Sequence, residues 1–208
     1  MKMYLSSYRL GDKPQELVNL VGENKKVAVI QNAMDIPIEP EAKKAGIQRE
    51  IDDLKGLGFV PKVVDLKEYF GRPEELKKKM DEFGLIWVRG GNVFVLRRAY
   101  KESGMDEWVI SQKDNRELVY AGYSAGVCVL SPSLKGLEIV DDPKTVTDGY
   151  KEETVWEGLG VVEFAFAPHY QSPHPESEAI SRSVEYFIKN EIEYKALHDG
   201  EVIVIDDE

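Results

Sequence analysis

Short apolar runs alternate with segments of helical periodicity along most of the chain. Runs of strand length occur at Lys2 to Ser6, Lys26 to Gln31, Lys62 to Leu66 and Leu85 to Val88. The second and fourth runs are almost continuously apolar, which is typical of strands in a parallel sheet that is covered on both faces. These segments therefore predict the strands of a buried sheet.

Amphipathic helices are predicted between the strands. Ile47, Ile51 and Leu54 are spaced so that they share one face of a helix. The spacing recurs in two later groups: Leu76, Met80 and Phe83, then Ile180, Val184, Phe187 and Ile188. Strands that alternate with helices pair in parallel through right-handed crossovers. The pattern predicts an α/β fold with a doubly wound, mostly parallel sheet and helices on both faces.

The last third of the chain has shorter apolar runs and fewer helical segments. Strands are predicted at Leu137 to Val140, Val161 to Phe166, Tyr194 to Leu197 and Val202 to Ile205. Asp199-Gly200 suits a two-residue turn, so the last two runs are expected to form a hairpin. We therefore expect one α/β domain over residues 1–208, whose sheet ends in a short antiparallel C-terminal extension.

Charge and cysteine content restrict the expected partners and compartment. The 208 residues carry a formal net charge of -11, and basic residues are interspersed with acidic ones, so a nucleic-acid partner is not expected. Cys128 is the only cysteine, which excludes an internal disulfide and favours the cytoplasm. We expect no signal peptide and no membrane association, because no apolar run approaches membrane-spanning length.

Ser124 is the centre of a Gly-Tyr-Ser-Ala-Gly pentapeptide between the apolar runs Leu118 to Ala121 and Val127 to Leu130. A strand, this motif and then a helix form the arrangement that exposes a nucleophilic serine at the top of a sheet. Small flanking residues are expected because larger side chains would collide with the helix that follows. The alternative is a turn that only connects a strand to a helix.

A second strand-to-helix turn, Arg-Gly-Gly-Asn at 89–92, follows the run Leu85 to Val88. Functional groups of open α/β sheets collect at the carboxyl ends of the strands. The paired glycines would let a backbone NH approach a substrate as a second oxyanion donor beside the Ala125 NH. The alternative is a plain tight turn in which Asn92 caps the next helix.

His169 follows the predicted strand Val161 to Phe166 and is the best candidate base for Ser124. Imidazole titrates near neutral pH, so it can take the serine proton and return it to a leaving group. His174 precedes a proline and is expected in an exposed loop, while His198 precedes the predicted turn. The three histidines lack a metal-site spacing such as His-x-x-x-His, so no metal is expected.

A carboxylate is needed to orient a histidine base. One candidate is Asp199, which would suit the hairpin turn equally well. The other candidates follow the serine motif: Glu138, Asp141 and Asp142. The residues alone leave the choice open.

Four segments together resemble the peptidase E (aspartyl dipeptidase) family of serine peptidases, which has a class I glutamine amidotransferase-like fold. They are Arg-Gly-Gly-Asn at 89–92, the Ser124 pentapeptide, Ala-Pro-His-Tyr at 167–170 and Leu-His-Asp-Gly at 197–200. The resemblance covers most of the chain. It implies that Ser124 is the nucleophile and that His169 is its base.

The resemblance also implies the remaining catalytic groups. The oxyanion hole would be formed by the NH groups of Gly91 and Ala125, and the third triad member would be Asp199, with Glu138 in reserve. The expected activity is hydrolysis of dipeptides or other small peptides through a Ser-His-acid triad and an acyl-enzyme, with no cofactor.

One segment departs from the family pattern. Residues 172–178 are acidic and contain no arginine, where aspartyl dipeptidases have a basic residue. A negatively charged substrate side chain would need Arg89, Arg182 or His174 to compensate, so specificity for an amino-terminal aspartate is not expected. Two alternative functions are a non-catalytic amidotransferase-like binding or regulatory domain and an ester or amide hydrolase with a non-peptide substrate.

Overall fold

A six-stranded sheet forms the centre of the computed structural model, which describes residues 1–206. The strands, in chain order, are β1 (Lys2–Ser6), β2 (Lys26–Ile30), β3 (Val60–Val63), β4 (Leu85–Val88), β5 (Val119–Tyr123), β6 (Ala165–Ala167), β7 (Tyr194–Ala196) and β8 (Val202–Ile205). The central sheet has the order β3-β2-β4-β5-β1-β8, and only β8 is antiparallel to its neighbour. The last two positions of the predicted domain, 207 and 208, lie outside the described residues.

Helices cover both faces of this sheet. They are α1 (Pro14–Leu20), α2 (Pro40–Gly56), α3 (Pro73–Met80), α4 (Val93–Ser103), α5 (Met105–Ser111), α6 (Ala125–Cys128) and α7 (Ser177–Lys189). One apolar cluster packs α1 and α2 against one face, and a larger cluster packs α3 to α7 against the other. The predicted doubly wound α/β fold is therefore confirmed. Within residues 1–206, every helix is too short or too polar to cross a membrane.

Three of the predicted strands are wrong, shifted or shortened for local reasons. The strand predicted at Lys62 to Leu66 lies at Val60–Val63, because Asp65 caps a turn of 3-10 helix that begins at Leu66. Leu137–Ile139 forms a turn of 3-10 helix, in which Leu137 alone is buried, instead of the strand predicted at Leu137 to Val140. The strand predicted from Val161 begins only at Ala165, because the NH groups of Val161 and Val162 both donate to the Leu130 carbonyl instead of to a neighbouring strand.

The hairpin predicted around Asp199-Gly200 is wrong. β7 pairs in parallel with β6 in a separate two-stranded sheet, whereas β8 pairs with β1 in the central sheet. The chain between β7 and β8 is instead bonded to the segment after β1, where the Asp12 NH donates to the Gly200 carbonyl and the Ser7 NH to the Glu201 carbonyl. The C-terminal region therefore joins two sheets and leaves Asp199 free for a tertiary contact.

Candidate active site

Ser124 lies on the sharp turn between β5 and α6. Its backbone angles, φ 50° and ψ -122°, belong to a sparsely populated region that costs energy for a residue with a side chain. A Cβ atom at Gly122 or Gly126 would lie 2.6 or 2.3 Å from the Val88 carbonyl oxygen. Glycine is therefore required on both sides, but the expected clash with the following helix is replaced by one with the neighbouring strand β4.

Two backbone NH groups beside the serine are available for an oxyanion. Gly91, at φ 145°, and Ala125, at the start of α6, donate to no acceptor in the described part of the chain. Asn92 caps α4 by accepting hydrogen bonds from the NH groups of Phe94 and Val95 at 2.9 and 3.1 Å. The capping role and an oxyanion role are compatible, because the cap uses the side chain of Asn92 and leaves the Gly91 NH free.

His169 follows β6 and is almost completely buried. Its Nδ1 atom lies 2.6 Å from Oδ1 of Asp199. Burial lowers the pKa of His169, as does the neighbouring His174, whereas the hydrogen bond to Asp199 opposes this shift. Glu138 instead accepts a hydrogen bond from the Gly136 NH at 2.5 Å. The structure thus brings Asp199, and not Glu138, to the imidazole.

Ser7 joins the histidine and the carboxylate, and sequence reasoning missed it. Its hydroxyl accepts a hydrogen bond from the His169 NH at 2.8 Å and donates to Oδ1 of Asp199 at 3.0 Å. Ser172 adds a further constraint, because its hydroxyl accepts from the Asp199 NH at 2.8 Å. The one available signal was that Ser7 directly follows β1, at the carboxyl edge where functional groups collect.

Ser124, His169 and Gly91 line one cleft with a volume of about 190 Å³. Tyr8 forms part of its wall and contacts the His169 ring edge-on, with the ring centroids 5.7 Å apart. Among residues 1–206, no hydrogen bond joins the Ser124 hydroxyl to His169. Catalytic hydrogen bonds are often long in a site without substrate and shorten when the substrate binds.

A buried carboxylate supports one side of the cleft. Glu50 of α2 accepts hydrogen bonds from Trp87 Nε1 at 2.8 Å and from the Tyr123 hydroxyl at 2.9 Å. Arg89 lines the cleft, and its Nε atom lies 3.9 Å from Glu50 Oε1. A Cβ atom at Gly46 would lie only 2.4 Å from Nη2 of Arg89, so glycine makes room for the guanidinium. The helical periodicity missed this face of α2, because it counts only apolar residues.

The charges around the cleft are mixed. Arg49 and Arg89 line it, so the basic groups come from α2 and the turn after β4 rather than from the loop after His169. Arg182, a further candidate for compensating a substrate's negative charge, points away and pairs with Glu178 at 3.0 Å on the surface of α7. The acidic loop contributes Glu176 to the cleft.

His174 lies in the cleft, where a more exposed loop position was expected. Its ring stacks on that of His169, with the centroids 3.7 Å apart and an interplanar angle of 7°. Oε2 of Glu176 lies 3.9 Å from Nε2 of His169. Sequence spacing could not reveal that His169, His174 and Glu176 lie together, because the loop between His169 and α7 folds back over His169.

The chain is similar to several known proteins. It is 30% identical over 141 residues to an uncharacterized peptidase of Listeria monocytogenes, which covers 67% of this chain and 64% of that relative. It is 30% identical over 130 residues to peptidase E of Streptomyces coelicolor, covering 59% of this chain and 49% of that protein. The matches therefore span just under two thirds of the first relative and about half of the second.

The fold resembles that of solved peptidase structures. A candidate peptidase E protein from L. monocytogenes superimposes with a TM-score of 0.72 at 21% identity, over 100% of this chain and 98% of that one. A peptidase from an acI-B1 actinobacterium gives a TM-score of 0.61 at 15% identity, over 88% and 74% of the two chains. At these identities the likeness concerns the fold.

The relatives confirm the expected relationship with the peptidase E family. The family model described as peptidase family S51 matches residues 8–208, which is almost the whole chain. The chain therefore belongs to peptidase family S51.

Proposed function

We propose that this chain is a cytoplasmic serine peptidase that hydrolyses dipeptides or other small peptides. The observation that carries the proposal is the 2.6 Å contact between His169 Nδ1 and Asp199 Oδ1, in a histidine that lines the same cleft as Ser124. A carboxylate on Nδ1 fixes the tautomer in which Nε2 has a lone pair. That tautomer is the one a general base requires.

In the first half of the proposed reaction, the Ser124 hydroxyl oxygen attacks the scissile carbonyl carbon while Nε2 of His169 takes the hydroxyl proton. The tetrahedral intermediate collapses when the C–N bond breaks, and the imidazolium returns the proton to the leaving amine. The product is an acyl ester on Ser124. In the second half, water attacks the ester with His169 again as base, and the serine is released with its proton.

The free NH groups of Gly91 and Ala125 would stabilise the negative charge on the carbonyl oxygen in both tetrahedral intermediates. Donors that are already oriented need no rearrangement when the charge develops, which makes them effective in catalysis. Strain at Ser124 and the close approach of Gly91 to Ala33 are consistent with a turn that is held in a fixed position.

The size and charges of the cleft support a small zwitterionic substrate. Its volume of about 190 Å³ is below the roughly 300–1,000 Å³ of pockets for drug-sized ligands. Arg49 and Arg89 offer positive charges for a carboxylate, and Glu176 offers a negative charge for an ammonium group. A short peptide with free termini carries both groups.

The proposal is tested by assaying a panel of dipeptides and matched esters with the wild type and with Ser124→Ala. We expect peptide turnover by the wild type and its loss in the variant. Turnover that survives the substitution would exclude Ser124 as the nucleophile. Turnover of esters alone would favour a non-peptide hydrolase.

A further inference from the structure

Three side chains with metal-ligating atoms converge in the cleft beside Ser124. One ligand atom from each of His169, His174 and Glu176 lies within 4.8 Å of the other two. A tetrahedral zinc ion with bonds of about 2.0–2.1 Å holds its ligand atoms about 3.3 Å apart. The 3.9 Å pair, His169 Nε2 and Glu176 Oε2, would therefore need to close by only about 0.6 Å.

His169 already has the form of a metal-binding histidine. Its Nδ1 is bonded to Asp199 at 2.6 Å, which leaves the lone pair on Nε2 facing Glu176. Metal-ligating histidines almost always bond through their second nitrogen to a carboxylate, carbonyl or water, which fixes the ring and raises its basicity.

The other two ligands can adjust to an ion. The rings of His169 and His174 are parallel within 7°, so His174 must turn to direct a lone pair at the same point. This rotation of the His174 ring would break one long hydrogen bond, 3.3 Å from the Glu176 NH to Nδ1 of His174. The Glu176 side chain is 45% exposed and can follow the ion.

We propose that His169, His174 and Glu176 form a binding site for Zn²⁺ and that zinc bound there inhibits the enzyme. Imidazole ligands suit zinc, whereas Mg²⁺ and Ca²⁺ prefer sites made of oxygen ligands. Three protein ligands leave the fourth zinc position for water. The inhibitory part rests on the proposed peptidase function: zinc on Nε2 occupies the lone pair that would accept the Ser124 proton.

Binding is tested by isothermal titration calorimetry of the metal-free protein with ZnCl₂, a measurement that is independent of activity. The ligand variants are His174→Asn and Glu176→Gln. Matched controls are His198→Asn and Glu178→Gln, which change a histidine and a glutamate that do not line the cleft. MgCl₂ serves as the control cation.

We expect one zinc ion per chain in the wild type and both controls, a loss of affinity of about tenfold or more in each ligand variant, and no binding of Mg²⁺. Absence of zinc binding in the wild type overturns the site. Equal affinity in the wild type and both ligand variants overturns it as well.

Inhibition is tested by the rate at which a fluorophosphonate labels Ser124, measured in each protein with and without zinc. Zinc is expected to slow labelling of the wild type and both controls about tenfold or more, and to slow labelling of the ligand variants less. Zinc that binds without slowing wild-type labelling overturns the inhibitory role. A wild type that binds zinc but is never labelled contradicts the peptidase proposal, while the binding site still stands.

Discussion

The imidazole of His169 and the carboxylate of Asp199 are joined directly, Nδ1 to Oδ1. The Ser7 hydroxyl links the same two residues again, because it accepts from the His169 backbone NH and donates to the Asp199 carboxylate. These contacts cross from the end of β1 to the loops after β6 and β7. They hold a buried histidine in one orientation, with its second nitrogen directed into the cleft that contains Ser124.

Asp199→Asn should lower kcat/KM for a peptide substrate by roughly 10³- to 10⁴-fold, because an amide no longer selects the tautomer that leaves Nε2 as the base. Glu138→Gln is the matched control and should leave kcat/KM unchanged, since Glu138 bonds to the Gly136 NH away from the imidazole. Steady-state kinetics of both variants make the comparison. A large loss in Glu138→Gln with none in Asp199→Asn would assign the third triad member to the reserve candidate.

Ser7→Ala should lower kcat by roughly 10- to 100-fold with a smaller effect on KM, because the histidine and the carboxylate lose their shared hydrogen-bond partner and shift. The neighbouring Ser6→Ala is the control, since the Ser6 hydroxyl bonds to the Tyr8 carbonyl instead. Full kcat in Ser7→Ala would show that the pair needs no support from β1.

Most of the fold could be predicted from local pattern, because strand and helix periodicity reflect burial against a sheet. The hairpin failed for a tertiary reason. Asp199-Gly200 does form a local turn, closed by the Glu201 NH and the His198 carbonyl at 3.0 Å, but the strands on either side pair with β6 and β1 in different sheets. Two features around the cleft were also invisible to periodicity. Glu50 is a charged residue on a buried helix face, and His174 reaches the cleft only because its loop folds back.

Gly126→Ala should destabilise the protein by roughly 1–3 kcal/mol, because its Cβ would lie 2.3 Å from the Val88 carbonyl oxygen in a packed interior. Gly56→Ala at the end of α2 is the control, with nothing within 4 Å of the added atom. Gly56→Ala should stabilise the protein by about 0.5–1 kcal/mol, since alanine loses less conformational freedom than glycine when the chain folds. Urea unfolding of both variants measures the difference, and equal effects would contradict the packing of the Ser124 turn.

Titration of the Asp141 carboxyl group should make the free energy of unfolding fall as pH rises. Burial raises the pKa of Asp141 from 3.8 to about 7, with a smaller contribution from the charge of Glu176, although the side chain bonds to the Val93 NH at 2.8 Å. Between these values the folded chain binds more protons than the unfolded chain. A raised acid pKa therefore reduces the free energy of unfolding progressively up to about pH 7.

Asp141→Asn keeps an acceptor for the Val93 NH and removes the titration. The free energy of unfolding of this variant, relative to that of the wild type, should rise by roughly 2–4 kcal/mol between about pH 4 and pH 8, because one unit of pKa shift corresponds to about 1.4 kcal/mol. Urea unfolding at several pH values in metal-free buffer measures this gain. A constant difference between the two proteins at all pH values would contradict the raised pKa.

An activated Ser124 should react covalently with a fluorophosphonate, and mass spectrometry of the chain after that reaction in metal-free buffer detects the adduct directly. We expect one adduct per chain, located on the peptide that contains Ser124. Ser131→Ala, a change at a fully buried serine, should be labelled like the wild type, whereas Ser124→Ala should not be labelled. A wild type that stays unlabelled, or a Ser124→Ala variant that is labelled as fast as the wild type, would show that Ser124 is not an activated nucleophile.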